Sequence, residues 1–233
     1  MDIMKMIEGC LTNGLDIPDK VKDALAGKYG QNFVLTSIGN RYNTGSATLF
    51  CHPEGNERIA FKAVYDCQTE NVTDDYAVRK IAAELEDSLS EKFRAQGIGC
   101  GSFASFTGGQ TQKRADTDET ASEFLKRSDL RSVSVYMAVN RDDVSSVSGA
   151  EKWLSVIQKL YDDTGKKIMV TAFFVSVSDF EKCVSEMRKC PSVNRFWFEK
   201  FSTSGKVLVT VNEEGVSSGA EEIVRAAGGA ENG

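Results

Sequence analysis

Histidine is nearly missing from this chain: His52 is its only one among 233 residues. That scarcity excludes a His-rich zinc centre, which needs several imidazoles. It also forces any Ser–His or Cys–His nucleophile pair to be built on His52. The sequence has no C-x-x-C, so zinc ribbons and thioredoxin-like redox motifs have no spacing to stand on. It has no G-x-S-x-G turn to expose a serine nucleophile. No apolar run approaches the roughly 20 residues of a membrane-spanning helix. Basic residues are outnumbered 28 to 34, for a net charge of −6. A dense basic face for nucleic acid is therefore disfavoured, although a local patch remains compatible with that total.

What is present suits a globular protein: 41% of residues are apolar and 27% charged. The length fits one large domain or two small ones. The opening MDIMKMIEGCLTNG places Asp2 and Glu8 where a secretory leader would be basic and then apolar. Its IEGC is similar to a lipoprotein cleavage site, but no hydrophobic region precedes it. The expectation is a cytoplasmic protein, and a leader removed by cloning would leave the same sequence. Cys10, Cys51, Cys67, Cys100, Cys183 and Cys190 are sparse and set mostly in apolar patterns, so free thiols in a reducing compartment are expected.

Periodicity supplies the architecture. In DIPDKVKDALAGKYG, Asp16 is placed to cap and Pro18 suits a first turn. Ile17, Val21, Ala24, Leu25 and Tyr29 share a face, and Gly30 ends the helix. NFVLTSIG, SATLFCH and ERIAFKAVYD then read as a three-strand meander. TDDYAVRKIAAELEDSLSEKFRAQG follows as the strongest helix, with Val78, Ile81, Leu85, Leu89 and Lys92–Phe93 along one stripe. IGCGSFASF closes the first half as a strand.

Residues 107–118, TGGQTQKRADTD, lack any large apolar side chain and are read as a linker. In the second half, Thr120–Glu123, Ser148–Glu151 and Ser178–Glu181 each match the S/T-x-x-E capping box. The helices they open alternate with strands SVSVYMAVN and KIMVTAFFVSV. NRFWFEKF and KVLVTVNEE then pair around the turn STSG. The tail from Ser217 is expected to form one weak turn and fray. The fold is therefore α+β: an α-β-β-β-α-β unit (1–106), a linker (107–118), an α-β-α-β-α-β-β unit (119–216) and a flexible tail (217–233), each unit an antiparallel sheet packed with helices.

Candidate chemistry concentrates in three places. With PEGN as a four-residue hairpin loop, His52 faces Glu57, Phe50 faces Ile59 and Cys51 faces Arg58. Cys67 then lies too far down the partner strand for a Cys51–Cys67 bridge. His52 reads as structural, and Cys51 with His52 is the least implausible catalytic centre. GIGCG (97–101) follows a helix and enters a strand, the reverse of a dinucleotide-binding loop, and reads as a turn and a close-packed strand. Cys183 and Cys190 read as core residues on one side of a helix, about 10 Å apart. The acid pairs at 74–75, 142–143 and 162–163 lack calcium-loop spacing and read as solvated.

In NRFWFEKF, strand alternation buries Phe196 and Phe198 and turns Trp197 outward, between Arg195 and Glu199. Trp197 with Arg195 and Glu199 is the expected protein-binding site. Arg195, Trp197 and Lys200 are also a candidate base-stacking set, opposed by the acidic charge of the chain.

KYGQNFVLTSIGNRYNTGSATLFCHPEGNERIAFKAVY, followed by DDYAVRK, resembles uncharacterised proteins of gut Clostridia-type bacteria. Their shared features are a helix ending in K-Y-G, strands carrying a C-x-P-like turn, and a D-[DN]-Y segment opening a long helix. The similarity runs through the first half and loosely into the second. It implies a bacterial origin and a repeated architecture, and no activity. The expected function is non-enzymatic binding of a protein partner, with no cofactor and no metal. An enzyme with a cleft between the halves, using Cys51 and His52, is the alternative, and nucleic-acid binding through Arg195, Trp197 and Lys200 the third reading.

Overall fold

A computed structural model of the chain describes residues 16–39, 45–108 and 115–228. The opening MIEGCLTNG turn, Cys10 and the end of the chain beyond Gly228 lie outside the described residues. The fold is α+β with one four-stranded and one five-stranded sheet. Two compact units result. One holds the described residues up to Arg79 together with Lys189–Ser192, and the other holds Lys80–Arg188 and the described residues from Val193.

In the first unit, α1 (Ile17–Tyr29) begins with Pro18 in its first turn and stops at Gly30, whose φ of 65° suits a residue without Cβ. Asp16 occupies the N-cap position without making a side-chain cap bond. Ile17, Val21 and Leu25 are buried, whereas Ala24 is exposed and Tyr29 half-buried. They cover a wholly antiparallel sheet in the order β1 (Phe33–Ile38), β2 (Ser46–Pro53), β3 (Phe61–Asp66) and β4 (Val72–Asp74). The fourth strand lies where the sequence suggests only a helix approach. Asp74 explains it: its carboxylate accepts from Tyr29 Oη at 2.6 Å and from Lys28 Nζ at 2.7 Å, which fastens the short strand to α1. Phe33, edge-on to both Phe61 and Tyr76, completes an aromatic cluster with them beside that lock.

The second unit carries most of α2 (Tyr76–Ala95), whose Ile81, Leu85, Leu89 and Phe93 are buried as the stripe requires. Val78 is only half-buried. Its sheet runs β5 (Cys100–Thr107), β6 (Ser132–Asn140), β7 (Lys167–Val175), β8 (Thr203–Asn212) and β9 (Gly215–Val216). Strand β5, read from sequence with the first half, pairs antiparallel with β6 from Cys100 opposite Val139 to Thr107 opposite Ser132. The stretch 107–118 thus connects neighbouring strands of one sheet and lies within the second unit. A gap in apolar residues marks a loop equally well in either setting.

Strands β6 and β7 are parallel, an exception to the expected antiparallel sheet. The cause is α4 (Val147–Thr164) between them, which returns the chain to the same end as a crossover. Thr120 and Glu123 form the reciprocal capping box of α3 (Ala121–Arg127). The other two boxes are displaced: α4 is capped by Ser146, not Ser148, and α5 (Val177–Met187) follows Ser176, not Ser178. The segment read as a frayed tail forms α6 (Ala220–Gly228), anchored by fully buried Ile223 and Ala227. Ser204 Oγ donates to Ala227 O at 2.6 Å and ties that helix to β8.

Helices cover both faces of this sheet. On one, a Cβ at Gly205 would lie 2.4 Å from Ala226 O, which shows how closely α6 approaches. On the other, a Cβ at Gly101 would lie 2.6 Å from Val184, so glycine lets α5 rest against β5. The reading of GIGCG as turn and close-packed strand holds, with Gly97 at φ 74° making the turn.

Candidate functional site

Asn194 decides the shape of the predicted binding segment. Its Oδ1 accepts from the backbone N–H of Phe196 at 2.9 Å and of Trp197 at 3.2 Å. That bond pattern winds Arg195–Lys200 into a short 3-10 helix, so NRFWFEKF is not a strand. The STSG hairpin disappears with it, because residues 203–205 already belong to β8. Alternation is replaced by a three-residue turn, and the exposed aromatic changes identity.

Phe198 is the buried residue, at 1% exposure, and its ring stacks on Phe173 of β7 at 4.0 Å. Phe196 stands outside at 58% exposure, the expectation of burial reversed. Arg195 lies over the Phe196 ring at 4.5 Å. Trp197 is half-buried, with its ring edge-on to Phe198 at 5.1 Å. Lys200 Nζ sits 4.4 Å over the Trp197 ring while pairing with Glu186 of α5. That pairing holds the Glu186 carboxyl below its ordinary range. Glu199 is exposed. The segment therefore brings Arg195, Phe196, Trp197, Glu199 and Lys200 onto one short turn. Sequence reasoning missed Phe196, although the S-V-N-R start offered an Asx cap as the signal.

The Cys51–His52 centre is placed differently from its sequence reading. Strands β2 and β3 are joined by a longer loop than PEGN, so Cys51 faces Phe61 and Phe50 faces Lys62. The core face is the one carrying Ala47, Leu49 and Cys51, and Phe50 is only half-buried. His52 is 8% exposed and lies opposite Val34 of β1. Its Nδ1 is 2.8 Å from Pro53 O, so that nitrogen carries the proton and donates. Glu57 does not steady it: the carboxylate pairs with Lys189 Nζ at 2.7 Å, which holds it below its usual range.

The thiols are poor nucleophiles. Burial pushes Cys51 up to about 12, with the Asp74 carboxylate adding to the effect. Burial likewise pushes Cys183 up to about 12, and Cys100 upward. A thiol in that state offers almost no thiolate at neutral pH. Cys183 is a core residue of α5, whereas Cys190 lies beyond the end of that helix at Met187. Cys67 corrects the all-thiol expectation, because it is disulfide-bonded. Among the described residues, no group of three or more His, Cys, Asp or Glu is placed to hold a metal ion. Among them, too, no helix is long and apolar enough to cross a membrane.

No family model matches the chain, and no curated protein matches it. Among solved structures, it is similar to a DUF5037 family protein from Ruminococcus gnavus, with a TM-score of 0.68 at 14% identity over 91% of this chain and 98% of that one. At that identity the likeness shows the shared α+β fold. It agrees with the resemblance to uncharacterised proteins of gut Clostridia-type bacteria, and it brings no activity with it.

Proposed function

We propose that this chain is a non-enzymatic binding protein whose partner is another protein, engaged through the 195–200 turn. The observation that carries the reading is Phe196, a large aromatic at 58% exposure beneath the Arg195 guanidinium. Aromatic and arginine side chains are the usual anchors of interfaces. Here they project from a turn held by Asn194 and by the buried Phe198, so little ordering entropy is lost on binding. The elevated Cys51 and Cys183 thiols weigh against the enzymatic alternative. Stacking of bases on this turn is opposed by the exposed Glu199 and by the acidic balance of the chain.

A photo-crosslinking phenylalanine analogue at position 196, exposed to native lysate, tests the reading. One protein should be captured in stoichiometric amount, and Trp197→Ala or Arg195→Ala should reduce its capture. Equal capture from an analogue placed at exposed Val147 would sink the idea. His52→Gln should leave capture within a few-fold, whereas a loss of two orders of magnitude would restore the Cys51–His52 centre.

A further inference from the structure

A cleft of about 280 Å³ opens in the second unit between the end of α2, the start of β5 and the Phe180–Arg188 side of α5. Ile98, Phe180 and Val184 form its apolar walls, while Arg94, Arg188 and Glu181 bring charge to it. Ile98 and Phe180 are buried and Val184 half-buried, so the walls are part of the packed structure. Arginine in or just after the last turn of a helix complements the helix dipole, which accounts for either residue singly. It does not account for both lining the same cleft. Neither guanidinium makes an ion pair among the described residues, in a chain where acids outnumber bases 34 to 28.

The backbone amides around the cleft are already engaged. Gly97 donates to Arg94 O, Ile98 to Phe93 O, and Gly99 to the Asp143 carboxylate at 2.7 Å. Recognition of an anion here therefore falls to the two guanidinium groups. The volume lies just below the roughly 300–1,000 Å³ of clefts that take drug-sized ligands.

We infer that this cleft binds a small α-amino acid with an apolar side chain. Its carboxylate pairs with Arg94 and Arg188, its ammonium with Glu181, and its side chain lies against Phe180, Ile98 and Val184. An apolar carboxylate without the ammonium leaves Glu181 unanswered, and an amine without the carboxylate leaves both arginines so. The site is separate from the Arg195–Lys200 turn and does not depend on its role.

L-leucine is the probe, with leucinamide and 4-methylpentanoate as controls lacking the carboxylate and the ammonium. Leucine should cause saturable shifts of the Gly97 and Gly99 amide resonances. Arg94→Gln and Arg188→Gln should each weaken binding roughly tenfold or more, the worth of one charge-assisted hydrogen bond. Glu181→Gln and 4-methylpentanoate should show a smaller loss, and leucinamide should show no saturable shift. The leucinamide arm uses the unmodified chain, so it stands even where a variant disturbs the fold. Absence of a saturable leucine shift up to its solubility limit, unchanged affinity in both arginine variants, or equal binding of leucinamide would each overturn the assignment.

Discussion

Phe198 and Phe173 stack with ring centroids 4.0 Å apart and planes 8° from parallel. That contact, rather than strand pairing, holds the 195–200 turn against the sheet. The neighbouring Phe196 has no comparable support and stands in solvent. Phe198→Ala should cost about 3–5 kcal/mol in urea unfolding, the usual loss for a buried phenylalanine. Phe196→Ala should change stability by less than about 0.5 kcal/mol. Trp197→Ala should fall between them, because its half-buried ring also packs on Phe201 at 5.2 Å. A Phe196→Ala variant as unstable as Phe198→Ala would mean that the turn is packed as a core element and does not present an anchor.

Edge strand β5 supplies a second measurable relationship. Glu86, 2% exposed on α2, accepts the Ala104 N–H at 2.7 Å through its carboxylate. Its own backbone carbonyl accepts from Ser90 Oγ at 2.9 Å. Because β5 lies at the edge of the sheet, that carboxylate occupies a backbone donor that would otherwise await another strand. Glu86→Ala removes the buried acceptor of the Ala104 N–H and should destabilise by on the order of 2–3 kcal/mol, read as a lower urea midpoint. Glu86→Gln keeps an acceptor and should lose less. A glutamine variant as weak as the alanine one would assign the effect to the charge and not to the bond with Ala104.

Much of this architecture is legible in the sequence because it is local. The α2 stripe, the Thr120–Glu123 box and the Gly30 and Gly97 stops each depend on neighbours a few residues apart. The departures depend on partners far along the chain in β2–β3 and α6, and on a competing local cap at Asn194. PEGN has the composition of a complete turn and so predicts a β2–β3 register that the structure shifts by extending the loop to Ala60. The α6 helix is secured by Ile223 and Ala227 in a core that its Gly- and Ala-rich composition does not announce. In the 195–200 segment the sequence pattern turns Trp197 outward, whereas the structure exposes Phe196. The FWF pattern suits a strand, and the Asn194 cap overrides it.

The Tyr29–Asp74 bond predicts an alkaline limb. Burial, with the Asp74 carboxylate second, pushes the Tyr29 phenol from 10.0 up to about 12. The folded state then holds its proton more tightly than the unfolded chain. The resulting stability is fully present below about pH 10 and is lost as pH rises through about 12. Tyr29→Phe removes both the bond and the titration. Between pH 10 and 12 the stability of the natural chain should therefore fall more steeply than that of the variant. Parallel curves over that interval would show that Tyr29 is not the group responsible.

The pairing of β5 with β6 makes a final prediction about the 107–118 connection. Its sequence lacks large apolar residues, so limited proteolysis should cut there before elsewhere. Cleavage at that point leaves eight paired positions between the two strands, from Cys100–Val139 to Thr107–Ser132. It also leaves the packing of Phe106 against Phe124 at 5.2 Å. The nicked protein should therefore elute as a single species in native size-exclusion chromatography and separate into two fragments only in denaturant. Fragments that part under native conditions would mean that residues on either side of the cut form independent bodies, as the apolar gap alone suggests. First cleavage inside β2 or α4 would instead show that the connection is protected.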